Sequence, residues 1–445
     1  MNRTFRLVWN KSLALWVVAS ELASAKGKKG CARSVSVPAG ALALLMFAGN
    51  ANAWIAGTGA SNPALDGGIS TNTSVNGGVA YDSSNPSSTK NTAVGAGSVA
   101  TGGSGVAVGY NASATGNYAI AVGLNSSATN DSSIAIGSNT QALGNGSVAL
   151  GRNSYIGTAG IDSLAIGTRT IATKDNIVVI GNQAQSDSAQ SILISPNYGV
   201  PGNAAEVLID DKSMGAVVVG AKSYALNSVN AVTLGNQNTT TDSKYGVVVG
   251  HGNTLQGAIS QIIGHGSAVT GTSSFALGNY ANVVADNAIS IGSKNTVNGA
   301  SSGTIGQSST NNGVGSYSLG NNNTVDASNA IALGNNINVA TGVDGAVVLG
   351  NNSTVSTAVG TLGTSLYGGF QGFAGTAPVA AVSVGGAGAE RTITNVAAGR
   401  VDALSTDAVN GSQLSATNSS LTALANDSLL WDPTANGGNG AFSAS

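Results

Sequence analysis

Through the middle of the chain, large aliphatic and small residues alternate in short bursts that each close on glycine, as in GVAVG, YAIAVG, SSIAIG, GSVALG, SLAIG and IVVIG. The closing glycines fall at 95, 109, 123, 137, 151, 167, 181, 220, 235, 250, 264, 278, 292, 306, 320, 334 and 350. Of the 16 intervals between them, eleven are 14 residues, two are 15, two are 16 and one is 39. The residue before each glycine is a large aliphatic in every case, from Val94 to Leu349. The residue two earlier is apolar except at Thr92, Gln261 and Gly303. Side chains alternate along a strand, so these two positions share one face. Between them sits a small or β-branched residue, alanine in eight cases including Ala107, Ala121 and Ala135. A strand with one aliphatic and one small face, repeated at fixed period, predicts a solenoid. The closing glycine suits a turn with unusual backbone angles, and Asn111, Asn125 and Asn139 mark the turns between strands.

A 14-residue coil has room for two strands of about five residues and two turns, which leaves a thin roll with little interior. Such a coil suits one wall of an assembly, with its small or its aliphatic face buried against other chains, so a homo-oligomer is expected. At ~4.8 Å per coil, the roughly 18 coils between residues 91 and 350 extend about 85 Å. The long interval from 181 to 220 still holds strand-like pieces at 191–195 and 206–209, and reads as decorated coils with degenerate glycines.

Composition narrows the classes further. Of 445 residues only 36 are charged, 17 basic and 19 acidic, against roughly a quarter of an ordinary soluble domain. Glycine contributes 64, while Pro, Cys and His number 7, 1 and 2. These counts exclude a disulfide scaffold, a Cys/His zinc site and a cluster of histidine bases. Scarce proline and abundant Val, Ile and Leu exclude collagen and simple disorder.

The N-terminus reads as a secretory leader. Lys26, Lys28, Lys29 and Arg33 precede an apolar stretch from Val35 to Phe47, and Ala51-Asn52-Ala53 supplies the small-residue cleavage pattern. Cleavage is expected between Ala53 and Trp54. The apolar stretch is too short to span a bilayer of ~30 Å as a helix. Cys31 precedes it, a position that makes the thiol an inert part of a discarded peptide. The leader carries seven basic residues and one acid, Glu21, so the mature part has 17 − 7 = 10 basic and 19 − 1 = 18 acidic groups. That sparse negative charge disfavours nucleic-acid binding, which rests on phosphate neutralisation.

Three segments resemble one family, the YadA-like trimeric autotransporter adhesins. Met1-Asn2, Phe5-Arg6, Val8-Trp9-Asn10, Trp16-Val17 and Ser20-Glu21-Leu22-Ala23 resemble its extended signal-peptide region. Repeats such as SVALGRNSYIGTAGIDSLAIG look like its head. Residues 381–414 are similar to its neck, through Glu390-Arg391, Ile393, Thr394-Asn395-Val396-Ala397-Ala398-Gly399, Thr406-Asp407-Ala408-Val409-Asn410 and Gln413-Leu414. The resemblance implies an all-β, left-handed parallel β-roll, homotrimeric, followed by a neck and the start of a coiled-coil stalk. It also implies that Glu390 and Arg391 form structural ion pairs. Leu414, Leu421, Leu424 and Trp431 then suit two short heptads.

The expected layout is an extended signal peptide (1–53), a lead-in to the head (54–90) and head repeats (91–350) with an irregular insertion at 182–219. A head-to-neck segment (351–389), a neck (390–414), a short coiled coil (415–431) and the start of a truncated connector domain (432–445) follow. Members of the family end in a membrane anchor that supplies strands to a trimeric barrel, and residues 432–445 lack the ten-residue apolar alternation such a strand needs. Cell-surface, outer-membrane localisation after export through the periplasm, and partnership with the outer-membrane assembly machinery, are therefore expectations from the family alone.

Catalytic chemistry is not expected. The glycines recur with period 14 rather than in a phosphate-binding loop, and no nucleophile elbow precedes a helical pattern. No cofactor, metal or catalytic residue is assigned. Glu206, Asp210 and Asp211 form the single acidic cluster of the mature part and read as a solvated insertion or a weak cation site. His251 and His265 each follow a closing glycine, 14 residues apart, and are expected to stack as a polar ladder or, alternatively, to form a metal- or pH-responsive site. The functional expectation is an adhesin head attaching to host matrix, cell-surface receptors, other bacteria or surfaces. The alternatives are a single-chain solenoid binding ice or crystal surfaces, which needs a regular threonine ladder, and a polysaccharide-acting β-helix enzyme, which needs clustered carboxylates. The insertions at 182–219 and 351–380 break the repeat and are the expected places for specific recognition.

Overall fold

The computed structural model describes residues 5–10, 15–20, 73–75, 79–80, 91–196, 206–366, 369–427 and 429–444. The cleavage site Ala53–Trp54, Cys31 and most of the 54–90 lead-in lie outside the described residues. The chain divides into two units, 1–54 and 55–445. In the first, strands Phe5–Asn10 and Leu15–Ser20 pair antiparallel, with Phe5 opposite Ser20.

The second unit is built on a parallel β-solenoid. Each coil contributes one strand of three to five residues and one of two to four residues, for example Ile134–Ile136 and Gln141–Ala142. The long strands stack into one parallel sheet and the short strands into another, 20 and 18 strands respectively among the described residues. Equivalent residues of successive coils are paired, so Ala107, Ala121, Ala135 and Ala149 form one column. The short strands and many of the long ones fall below the five residues expected, because each coil also places residues in left-handed turns, such as Asn111 (φ 52°) and Tyr118 (φ 58°) in one coil. Asparagine tolerates that conformation better than most side chains, and Asn111, Asn125 and Asn139 join their amides in a ladder, at 3.4 and 3.0 Å.

The closing glycine is required twice over. Gly109 has φ 135°, and a Cβ on it would stand 2.4 Å from the carbonyl oxygen of Gly123 in the next coil. The period is therefore enforced by backbone packed on backbone, with no space for a side chain.

The small face of the long strand points into the coil. Ala93, Ala107, Ala121, Ala135, Ala149 and Ala165 are fully buried, and Ala100, Ala114, Ala128 and Ala142 oppose them from the short strands. Buried serines and asparagines at the turns are satisfied between coils. Ser260 Oγ donates to the Gly271 carbonyl at 2.7 Å and accepts from the Ser274 amide at 2.9 Å. Asn253 likewise donates to Gly264 O and accepts from Ser267 N, at 2.8 and 2.9 Å. The core is thus a stack of thin apolar layers, parted by polar ones. Thr233 and Thr240 hydrogen-bond across one coil at 2.7 Å, and Thr304, Asn311 and Ser318 separate the cluster ending at Val297 from the one beginning at Val325.

Register continues through the irregular stretch. Ile192–Ser195 pairs with both Val178–Asn182 and Val217–Val219, and Ser195 stands opposite Gly181. Glu206–Ile209 pairs with Ala184–Ser186 through a register shift. One full coil and one enlarged coil therefore fill the long interval. Beyond the last repeat, Val382–Ser383 returns to pair with Val347–Leu349, after an antiparallel hairpin of Gly363–Leu366 and Gly369–Gly372. A helix spans Gly411–Asp427, and strands Leu429–Asp432 and Ala441–Ala444 form a final hairpin. Trp431 lies in that hairpin and not in a heptad, because the helix stops four residues before it.

Candidate binding surfaces of the roll and neck

With alanine inside, the flanking aliphatics of each long strand point outward. Ile136, Ile263, Ile305, Leu319 and Leu333 are exposed by 41, 43, 44, 49 and 44%. They stand in one column that runs coil after coil along the sheet, beside a second that holds Ile289, Tyr317 and Ile331. Soluble monomers rarely expose contiguous apolar patches beyond a few hundred Å². Of the two faces open in the sequence, the small one is therefore spent on the interior, and the aliphatic one stays at the surface of the chain.

The outward face of the short-strand sheet is chemically different. From coil to coil it presents Thr296, Thr310 and Thr324, paired in register. Beside them, Asn298 donates to Asn312 at 2.7 Å and Asn312 to Asp326 at 2.6 Å. This polar surface needs no apolar cover.

The neck is held by polar contacts. Arg391 reaches back to the end of the roll, donating to Ser353 Oγ (2.9 Å), Val384 O (2.7 Å) and Asn351 O (2.6 Å). It does not pair with Glu390, whose carboxylate instead accepts from the Gly388 amide at 2.9 Å. That backbone bond, with one from its own amide, lowers the Glu390 pKa. Within one chain, therefore, Glu390 takes a backbone partner and Arg391 takes two carbonyls and a hydroxyl. The ion pair among the described residues is Arg400–Asp407, 2.8 Å, which lowers the Asp407 pKa and raises that of Arg400. Asn410 donates to Val396 O and Gln413 to Gly399 O, at 3.0 and 2.6 Å, tying the neck loop to the start of the helix. The Arg-x6-Asp spacing was the one sequence signal for that pair.

His251 and His265 are brought together as their spacing suggests, with ring centroids 5.1 Å apart and planes 19° from parallel. Tyr280, one residue past their column, packs edge-on against His265 at 4.9 Å. Asp210 is occupied in turn formation, accepting from Ser213 Oγ and from the Asn227 amide. Asp211 is exposed, and the Glu206 side chain lies outside the described residues. In the 351–380 segment Val359 and Val379 stand 82 and 99% exposed, without apolar cover from their own chain.

Comparison with known proteins places these features in one class. The profile of the extended signal peptide of the type V secretion system matches residues 1–49. The YadA head domain repeat matches 92–112, 100–126, 128–154, 159–184, 263–281 and 312–336, and the coiled stalk of trimeric autotransporter adhesin matches 392–437. The chain belongs to the YadA-like trimeric autotransporter adhesins, a Gram-negative surface family exported by type V secretion. Among curated relatives, autotransporter adhesin BtaE of Brucella suis biovar 1 (strain 1330) is 61% identical over 67 residues. That match takes in 15% of this chain and 9% of the relative's length. Among solved structures, the C-terminal YadA-like domain of BPSL2063 from Burkholderia pseudomallei is 46% identical, covering 26% of this chain and 47% of that one, with a TM-score of 0.20.

Proposed function

We propose that the roll is the adhesive head of a trimer and that its outward aliphatic columns are the surface on which three chains meet. The observation that carries this reading is the division of the two sheets: one faces outward with large aliphatics, the other, from Asn282 to Asn338, with threonine and asparagine. Adhesion then works by multivalency, with weak repeated contacts presented three at a time on a stiff rod. The ligands proposed are host extracellular-matrix or cell-surface molecules, other bacteria or abiotic surfaces, and the 351–380 segment and the enlarged coil near 195–220 are the proposed recognition sites. Family membership favours this reading over the ice-binding and polysaccharide-cleaving alternatives, and over any enzymatic role. Cleavage between Ala53 and Trp54, and delivery to the outer membrane by its assembly machinery, belong to the same proposal.

Two experiments test it. Secreted chain is sequenced from its N-terminus, and a start other than Trp54 overturns the cleavage site. Assembled chain is presented to a matrix-protein panel beside a variant made monomeric at the aliphatic face. Avidity predicts that the monomer binds on the order of 100-fold more weakly. Equal binding by both forms would contradict the multivalent mechanism.

A further inference from the structure

The His251–His265 stack is flanked in its column by two amides. Strands Val232–Asn236, Val247–His251, Gln261–His265 and Phe275–Asn279 are paired in parallel, so Asn236, His251, His265 and Asn279 follow one another in register. Each histidine is followed by a glycine in the left-handed region, Gly252 (φ 65°) and Gly266 (φ 64°). The flanking coils carry side chains there, Gln237 and Tyr280. A Cβ on Gly266 would collide with the Tyr280 ring at 2.7 Å, and one on Gly252 would meet only a backbone nitrogen at 4.0 Å. Gly252 thus leaves the imidazole pair open at its own coil, while the Tyr280 ring fills the space over Gly266. His251 is exposed and His265 half-buried.

We propose that His251 and His265 together chelate one divalent transition-metal ion, of the zinc, nickel or copper class, through one ring nitrogen each. Imidazole is a preferred donor for all three metals. Adjacent strands hold the two backbones about 4.8 Å apart. A tetrahedral ion with metal–nitrogen bonds near 2.0–2.1 Å needs its two nitrogens only about 3.3 Å apart. Rotation of the rings out of their stack, toward the open space at Gly252, brings the nitrogens to that separation. Two protein donors leave coordination positions for water or for a donor from a bound partner. The amides of Asn236 and Asn279 are harder oxygen donors and confine the site to the two histidine coils. The site needs one chain only and does not depend on the adhesive reading.

The test uses the full chain carrying Cys31→Ser, so that the one thiol cannot compete for the metal. Zinc chloride is titrated calorimetrically at neutral pH, and copper(II) is added separately for electron paramagnetic resonance. One zinc per chain and a copper spectrum with two coupled nitrogens are expected. His251→Asn or His265→Asn should each weaken zinc binding on the order of 100-fold, because a chelate becomes a single ligand, and the double variant should lose it. Asparagine already fills the neighbouring coils of this column, so these variants keep the fold, which circular dichroism checks. Tyr280→Phe should leave zinc binding intact. Unchanged zinc affinity in the folded double variant overturns the proposal, as does a parent chain that gives neither heat with zinc nor nitrogen coupling with copper.

Discussion

In the roll, Ala107, Ala121, Ala135 and Val248 have no exposed surface, whereas in the neck Ile393, Val401 and Leu404 are exposed by 68, 75 and 87%. The coils pair their backbones along two parallel sheets, whereas residues 390–410 form no strand or helix, and only the roll encloses a core of its own. Its coils are closed by strand pairing to the previous coil, so one chain can satisfy its backbone and bury its alanines unaided. The neck and the Gly411–Asp427 helix, with Leu414, Leu421 and Leu424 outward, have their apolar side chains aimed where their own chain supplies nothing. The difference teaches that fold and assembly are encoded on different faces of the same strands in the roll, and are one and the same event in the neck.

Substitutions separate the two. Ala135→Asp places a carboxylate in the closed coil interior and should cost about 4 kcal/mol or more. Thermal denaturation should show the head melting early, while Val401→Asp in the neck should leave the coils' own melting unchanged and weaken assembly only. Leu319→Asn with Leu333→Asn removes apolar surface from the outward columns and should weaken assembly by about 3 kcal/mol per chain. Dilution followed by sedimentation should register the loss, with strand content by circular dichroism unaltered. Arg391→Met removes three hydrogen bonds between neck and roll and should cost about 1.5 kcal/mol, read as faster amide exchange at Asn352 and Ser353. Thr304→Val moves the other way. The Thr304 hydroxyl is buried with no partner, so an isosteric apolar group should stabilise the roll by about 1 kcal/mol.

The smallest effect concerns Arg400–Asp407. The ion pair lowers the Asp407 pKa, so its contribution is fully present above the ordinary carboxylate range. It fades as pH falls through the lowered value, where protonation releases Arg400. Exchange of the Arg400 amide, which donates to the same carboxylate at 3.1 Å, should accelerate in that acid window and not at neutral pH. Asp407→Asn should remove the pH dependence.

The period, the paired strands and the histidine stack were legible in the sequence because each depends on spacing alone. Which face of the long strand turns inward was not. A 14-residue coil has no volume for two facing columns of Ile and Leu, so the alanines go in, but the spacing alone is the same for either face. The intrachain contacts of Arg391 were not legible because its acceptors are mainly carbonyls, and those on the roll lie up to 40 residues earlier, which leave no trace in side-chain pattern. Trp431 was placed in a heptad by extending a leucine spacing past Asp427, where the helix ends. Tyr280 was missed because it sits one position off the histidine column and meets His265 only through the turn at Gly266.

The most direct test of the central claim is the solution mass of residues 54–445 by light scattering, carried to nanomolar dilution. A persistent species of three times the chain mass is predicted, with the outward aliphatic columns protected from solvent. A well-folded monomer with those columns still exposed would contradict the account.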